Sequence, residues 1–144
     1  METWEPPARV RAMPSWLLGQ VALQARHAVT RHLGAIGGHR SQFSMLAALV
    51  EFGAMSQADL GRRVGLDRSD VAAAVAVLAN DGLVDRTPDP DDRRRNVLRV
   101  TTEGQVRLAA LDAAANAAQD ELLAALSTTE RDQLVGLLAR VAGV

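Results

Sequence analysis

The sequence contains no cysteine and no lysine, and both absences narrow its chemistry. Without cysteine there is no disulfide scaffold, no thiolate nucleophile, no thiol-based peroxide sensor and no cysteine-ligated metal. Without lysine, all 16 basic residues are arginine, whose planar fork suits bidentate contacts to phosphate and to base edges. A GC-rich coding bias explains the choice of arginine over lysine equally well. Whether the arginines bind nucleic acid must therefore be judged from their positions in the fold.

Long apolar runs are also missing. No window approaches the roughly 18 uninterrupted apolar residues that a membrane-spanning helix requires. The opening METWEPPARV lacks the charged-then-apolar order of a secretory signal. The 144 residues, 48% apolar and 23% charged, suit one folded domain. We therefore expect a soluble cytoplasmic protein without a membrane partner.

The sequence also lacks an excess of positive charge. The formal net charge is -1, and residues 56–107 hold nine arginines against nine acids. The net charge of the protein therefore cannot attract it to nucleic acid. Binding to nucleic acid would depend on where individual arginines lie in the fold.

Apolar residues recur at spacings of three and four along two N-terminal segments, which predicts two helices. The first runs from Pro14 to Leu33 and ends before the glycine-rich GAIGGH. The second runs from about Ser41 to Phe52, with Gly53 as its left-handed stop. Four side chains of the second helix are expected to point inward: Phe43, Leu46, Leu49 and Val50.

Two shorter helices with clear start signals follow. In SQAD, Ser56 is the expected N-cap, Asp59 lies three residues on, and Gly65 ends the helix. In DRSD, Asp67 and Asp70 repeat the signal and open the apolar helix VAAAVAVLAN, which the next glycine ends. A helix, a tight glycine turn and a second helix are typical of a helix-turn-helix.

The segment after this motif favours β structure and then returns to helix. LVDRT at 83–87 and NVLRVT at 96–101 are separated by a run rich in proline, aspartate and arginine, which predicts an antiparallel hairpin. Thr102 with Gln105 is expected to cap a long alanine-rich helix that extends to about Leu126, and STTE at 127–130 is a capping box for a last helix. The long helix carries apolar residues that a monomer would leave exposed, which favours a two-fold dimer.

This order of elements resembles the MarR family of winged helix-turn-helix repressors over about residues 14–142. The family's wing carries Asp-x-Arg, then five residues, then Leu-Thr; here Asp92, Arg94, Val100 and Thr101 match, with valine in place of leucine. SQADLGRRVGLDRSDV, LANDGLVDR and LSTTERDQLVGLLARV also look like the family's pattern. The resemblance implies that Asp92 braces Arg94, so that its guanidinium stays extended at the wing tip and enters the narrow minor groove of DNA.

The resemblance further implies a mostly α fold with a small β-hairpin wing, a winged helix-turn-helix whose N- and C-terminal helices form a dimerisation region. Within one intertwined domain, 1–40 would be an N-terminal segment and dimerisation helix, 41–104 the DNA-binding region, and 105–144 the C-terminal dimerisation helices. The homodimer would bind a pseudo-palindromic operator on double-stranded DNA. The implied function is ligand-responsive repression of transcription.

Base contacts are expected at the start of the second motif helix, which would enter the major groove. Arg68 suits guanine, and Ser69 suits a phosphate or a base. Asp70 either accepts from cytosine or only caps the helix. Ala72 or Ala73 suits a thymine methyl group, and the alanine-rich turns that follow leave direct base contacts sparse.

Phosphate contacts are expected from residues around this helix. Gln57 and Ser41 lie at helix starts, where free N–H groups can hold phosphate, although either could be a capped surface residue. Arg93 and Arg95 flank Arg94 and suit phosphates. In isolation, such a charge run is most often a solvated loop.

Arginines on the first motif helix, a tryptophan and three histidines complete the candidates. Of Arg62 and Arg63, one is expected to face phosphate and the other solvent, and the sequence leaves open which. Trp16 either packs in the core or walls an effector cleft, which in the MarR family admits small aromatic or phenolic acids. The histidines are not spaced as metal ligands on one helix face, so we expect no metal and no cofactor.

No motif supports catalysis, because the sequence offers no nucleophile with its base, no phosphate loop after a strand and no metal set. We therefore expect a protein that is not an enzyme. The alternative function is a winged-helix dimer that binds a protein or a small ligand without specific DNA readout. It is supported by the alanine-rich recognition helix and by the slightly negative net charge. Salt dependence distinguishes the two, because only binding to phosphates weakens steeply with ionic strength.

Overall fold

The computed structural model describes residues 5–144, and its first long helices follow the apolar spacing of the sequence. The short α1 (Ala8–Arg11) precedes α2 (Pro14–Ala35) and α3 (Arg40–Phe52). The two predicted N-terminal helices are confirmed to within two residues at each end, whereas α1 lies outside the prediction. The first four residues of the predicted 1–40 segment lie outside the described residues.

The helix-turn-helix is confirmed together with its caps. α4 (Gln57–Val64) begins after Ser56, whose hydroxyl accepts the backbone N–H of Asp59 at 3.1 Å. It ends at Gly65, which is left-handed with φ 68° and ψ 30°. α5 (Arg68–Asn80), the recognition helix, begins after Asp67, whose carboxylate accepts the backbone N–H of Asp70 at 2.8 Å.

The predicted hairpin is confirmed and has a third strand beside it. β2 (Val84–Pro88) and β3 (Asn96–Val100) pair antiparallel, with Val84 opposite Val100. β1 (Met55–Ser56) pairs antiparallel with the other edge of β3, so the strand order is β1-β3-β2. Two residues are too few to show an alternating pattern, and β1 was therefore not predicted. This strand ties the wing to the start of α4.

Two C-terminal helices follow the hairpin, α6 (Thr102–Leu122) and α7 (Thr128–Ala142). The predicted cap of α6 is wrong by one residue: the hydroxyl of Thr101 accepts the N–H of Gly104 at 3.0 Å and donates to the carbonyl of Gly82 at 2.7 Å. The predicted end at Leu126 is also too late, because α6 gives way to a turn before the next cap. The predicted capping box of Ser127 and Glu130 is confirmed.

The core lies where α3, the helix-turn-helix, the sheet and α6 meet. Its most deeply buried side chains are aliphatic: Leu33, Met45, Leu46, Leu60, Val75, Leu78, Leu98 and Leu111. Two expectations for α3 are wrong. Val50 is 47% exposed, because α3 turns its Leu46 and Leu49 face to the core. Gly53 has φ 81° but ψ -172°, so it does not close the helix with the left-handed cap that was predicted.

Several large apolar side chains of α2 and α7 stay exposed in the single chain, among them Leu17, Leu23, Val135, Leu137 and Val141. Among the described residues, none of those in α7 is buried. Such a surface suits a dimerisation region. The predicted place of the exposed apolar residues, the long helix, is wrong, because α6 packs them against the rest of the chain and leaves only Val106 exposed among its large apolar side chains. Across residues 5–144, the helices lack the combined length and apolar content needed to cross a membrane.

Candidate nucleic-acid interface

A groove of about 560 Å³ opens between the start of the recognition helix and the wing. Four residues predicted to contact DNA line it: Gln57 from α4, Arg68 from α5, and Arg94 and Arg95 from the wing. Arg62 of α4 lines it as well. The fold thus brings together arginines from three segments of a chain that has no net positive charge.

Asp92 and Arg94 make the contact that the family resemblance implies. The Nε of Arg94 donates to Oδ1 of Asp92 at 3.1 Å, and its Nη2 donates to Oδ2 at 3.4 Å. The backbone N–H of Arg94 donates to Oδ1 at 3.1 Å. Hydrogen bonds from Arg94 lower the pKa of the Asp92 carboxyl. Because the Arg94 side chain is 91% exposed, the brace holds a cation in solvent at the wing tip.

The wing loop is closed by its own backbone. The N–H of Asp89 donates to the carbonyl of Arg95 at 2.8 Å, and the N–H of Arg95 donates to the carbonyl of Asp92 at 2.9 Å. Arg95 therefore has a fixed backbone and lines the groove, whereas Arg93 lies exposed at the tip. The acids of this loop shape it, and its arginines project from it.

The first turn of α5 presents the residues predicted for base contacts. Arg68 is its first residue and is exposed. The hydroxyl of Ser69 donates to Oδ1 of Asp67 at 3.1 Å. The cap is made by the carboxylate of Asp67, whose pKa is lowered first by the backbone N–H of Asp70 and next by the Ser69 hydroxyl. Asp70 contributes that N–H and is itself exposed.

The recognition helix turns an alanine outward. Ala73 is exposed, on the side of α5 opposite the buried Val71 and Val75, whereas Ala72 is half-buried. Of the two alanines predicted to meet a thymine methyl group, Ala73 is therefore the more accessible.

The structure separates Arg62 from Arg63. Arg62 pairs with Asp59 and lines the groove. Arg63 stacks its guanidinium over the ring of Phe52, 3.9 Å from the centroid. The pKa of Asp59 is lowered mainly by the hydroxyl of Ser56 and then by Arg62. The sequence left open which arginine faces the predicted interface, and the groove identifies Arg62.

Ser41 and Trp16 lie outside this groove. Ser41 is in the first turn of α3, where the side chain of His39 is the cap and lies 2.7 Å from the Ser41 hydroxyl. Ser41 lines a separate concavity of about 250 Å³ beside the second half of α5, which includes Val77. Trp16 is half-buried on α2.

A cleft of about 470 Å³ lies between α2, α3 and α6 and was not predicted from the sequence. Arg26 and Val29 of α2 and Arg40 and Phe43 of α3 line it. A signal was present, since each arginine precedes an apolar residue by three positions and so shares its helix face. The described residues, 5–144, gather no group of three or more histidine or acidic side chains that could hold a metal ion.

Residues 37–95, which contain the helix-turn-helix and most of the wing, match the MarR family. The PcaV transcriptional regulator from Streptomyces coelicolor, solved in complex with its natural ligand, is 31% identical with a TM-score of 0.73, over 97% of this chain and 99% of that one. The chain belongs to the MarR family of transcriptional regulators. All predicted DNA contacts, from Ser41 to Arg95, fall within the matched residues.

Other similar proteins are described as regulators. The structure of a probable transcriptional regulator from Pseudomonas aeruginosa is 32% identical, with a TM-score of 0.77 over 92% of this chain and 99% of that one. A putative transcriptional regulatory protein for the hcr operon of Thauera aromatica is 34% identical over 69% of this chain. That match spans 60% of the Thauera protein's length, which is less than two thirds. The two structural matches extend the similarity beyond residues 37–95 to the flanking helices.

Proposed function

We propose that this MarR-family protein is a sequence-specific, double-stranded-DNA-binding transcriptional regulator, a homodimer that represses nearby genes until a small ligand releases it. The observation that carries the proposal is the placement of Arg68 and the braced Arg94 on opposite walls of one groove. A recognition helix that starts with arginine suits the major groove, and an extended arginine suits the minor groove. Its site of action is the cytoplasm, because chromosomal DNA is its partner.

The positions of the arginines assign a different DNA contact to each of them. Arg68 can reach guanine O6 and N7 from the first turn of α5, and Ala73 offers a methyl contact to thymine. Arg94 would sense the width and potential of the minor groove. Arg93 and Arg95 would hold phosphates on either side, which fixes the register of the protein on the duplex.

The homodimer is supported by the exposed apolar side chains of α2 and α7. A second copy would cover Leu137 and Val141, which are 57% and 75% exposed in the single chain. A two-fold axis would place two recognition helices on half-sites about one helical turn apart. The operator would therefore be pseudo-palindromic.

The effector is proposed to occupy the cleft of about 470 Å³ between α2, α3 and α6, which Trp16, the residue first expected to wall an effector cleft, does not line. Phe43 and Val29 offer an apolar wall for an aromatic ring, and Arg26 and Arg40 can pair with a carboxylate. A small aromatic or phenolic acid fits this chemistry, and the related PcaV was solved with its natural ligand. The protein would thus act by binding, without catalysis or a cofactor.

Footprinting of the DNA upstream of the protein's own gene tests the main proposal. We expect two protected half-sites centred about 10 base pairs apart, and protection that a shuffled duplex does not show. Protection should weaken steeply as salt rises. An absence of selective protection at any salt concentration would instead favour the alternative function, a winged-helix dimer that binds a protein or a small ligand.

A panel of hydroxylated benzoic acids tests the effector proposal. A ligand should raise the melting temperature of the protein and release it from DNA. Arg40→Ala should lose the response to the acid, whereas Arg9→Ala, an exposed arginine outside the cleft, should keep it. An equal response by both variants would place the acid elsewhere.

A further inference from the structure

We infer that the groove between the recognition helix and the wing holds the sugar-phosphate strand that separates the major groove from the minor groove, and that Arg62 is a phosphate contact within it. The inference rests on the proposed DNA-binding function and adds a contact to it. It also excludes the neighbouring Arg63 from the interface.

The expected path of the DNA backbone places one phosphate strand in this groove. If the start of α5 enters the major groove and Arg94 enters the adjacent minor groove, the phosphate strand between those grooves must pass between Arg68 and Arg94. That space is the groove of about 560 Å³, and its walls carry four guanidinium groups. Its charge therefore suits the phosphate strand.

Arg62 lines this groove, and its guanidinium is held in place by a pair with Asp59. One carboxylate oxygen of Asp59 pairs with Nη2 of Arg62, and the other accepts the hydroxyl of Ser56 at 2.9 Å. Ser56 is itself fixed, because it caps α4 and pairs with Val97 of the wing. The Arg62 side chain remains 70% exposed. The arrangement repeats on α4 what Asp92 does for Arg94, a carboxylate that holds an exposed guanidinium in place.

Arg63 has the same charge and a different position. Its guanidinium is held over Phe52 and borders a smaller concavity of about 370 Å³ beside that ring. Arg62 borders this concavity too, but it alone of the pair also lines the groove with Arg68 and Arg94. The two residues therefore give variants that are equal in bulk charge and different in placement.

The test compares wild type, Arg62→Ala and Arg63→Ala for affinity to the upstream duplex between about 50 and 200 mM salt. Each lost phosphate contact lowers the slope of log affinity against log salt by about 0.9, so a dimer that loses two contacts changes its slope by about 1.8. Over a fourfold change in salt, Arg62→Ala should lose about 12-fold less affinity than wild type. Arg63→Ala should follow wild type. Thermal melts establish that each variant is folded.

Two results would overturn the inference: an equal change of slope in both variants, which indicates bulk charge alone, or an unchanged slope in Arg62→Ala. Arg94→Ala distinguishes this failure from failure of the proposed function. If wild type binds selectively and Arg94→Ala does not, DNA binding stands whatever Arg62 does. If wild type shows no selective binding, both fail together.

The positioning role of Asp59 has its own test. On charge alone, Asp59→Asn removes an acid beside the phosphates and should tighten binding in every background. If Asp59 orients Arg62, the substitution tightens binding in the Arg62→Ala background but does not do so in wild type. Equal tightening in both backgrounds would overturn the positioning role.

Discussion

Gly104 lies where the third residue of α6 meets the hairpin, and Gly104→Ala tests that packing. A Cβ at this position would lie 2.1 Å from the carbonyl oxygen of Leu83 and 2.7 Å from Cγ2 of Val100. The carbonyl of Leu83 is not free to retreat, because it accepts the N–H of Thr101 at 3.0 Å at the start of α6. The substitution must therefore move the backbone of the helix or of the wing.

The expected size of the effect follows from two opposing contributions. In an open helix, replacing glycine with alanine stabilises a protein by up to about 1 kcal/mol. Overpacking of a tight site costs typically about 1–3 kcal/mol, and the upper end applies where backbone must shift. We expect Gly104→Ala to lower the free energy of unfolding by about 2 kcal/mol. For a chain of this size the melting temperature should fall by roughly 4–8 °C.

Far-ultraviolet circular dichroism melts at equal protomer concentration would measure this loss, since the stability of a dimer depends on concentration. Gly34→Ala is the matched control: Gly34 is also helical, and among the described residues nothing lies within 4 Å of a Cβ built there. The control should melt at or slightly above the wild-type temperature. If Gly104→Ala melted with the control, the close contact between α6 and the hairpin would be refuted.

Three further predictions concern the interface, the cap of α6 and pH. Replacing operator thymines with uracil removes the methyl group that Ala73 can contact and should weaken binding about fourfold per contacted thymine; unchanged affinity in competition assays would exclude that contact. Thr101→Ala should lower the free energy of unfolding by about 1 kcal/mol in urea titrations, and Thr101→Ser should recover most of it; equal losses in both would count against the cap. Hydrogen bonds from Arg31, and next from His32, lower the pKa of the Glu121 carboxyl below its ordinary 4.5. Ionised Glu121 therefore stabilises the fold at pH values above 4.5, and this stabilisation is lost as the pH falls through the lowered pKa. Glu121→Gln should therefore be less stable than wild type at neutral pH, and a difference that persisted under acid would contradict this.

Local signals made much of the fold predictable. Ser56 and Asp67 were identified as caps because an N-cap bonds to a backbone group only two or three residues away. The cap of α6 was placed wrongly because two threonines are adjacent there. Thr101 is selected by its bond to the carbonyl of Gly82, a residue 19 positions away that the local pattern does not reveal. The exposure of Val50 likewise depends on how α3 packs against distant elements.

The candidate site, too, could be predicted from the sequence only where its contacts are local. The contact between Asp92 and Arg94 could be anticipated because the two residues are separated by one position in a tight loop. The choice between Arg62 and Arg63 could not, because adjacent residues on a helix point about 100° apart. Which direction meets the groove is decided by the packing of α4 against the wing and by the ring of Phe52.

The most direct test of a DNA interface shared by the recognition helix and the wing is the affinity of wild type and Arg94→Ala for the upstream duplex and a shuffled duplex, at two salt concentrations. We expect wild type to prefer the upstream duplex, with a steep loss of affinity at the higher salt concentration. Arg94→Ala should bind at least about 100-fold more weakly, because a charged contact worth roughly 1.5 kcal/mol or more is lost in each protomer. Equal affinity of wild type for both duplexes, or wild-type selectivity and salt dependence in Arg94→Ala, would contradict this interface.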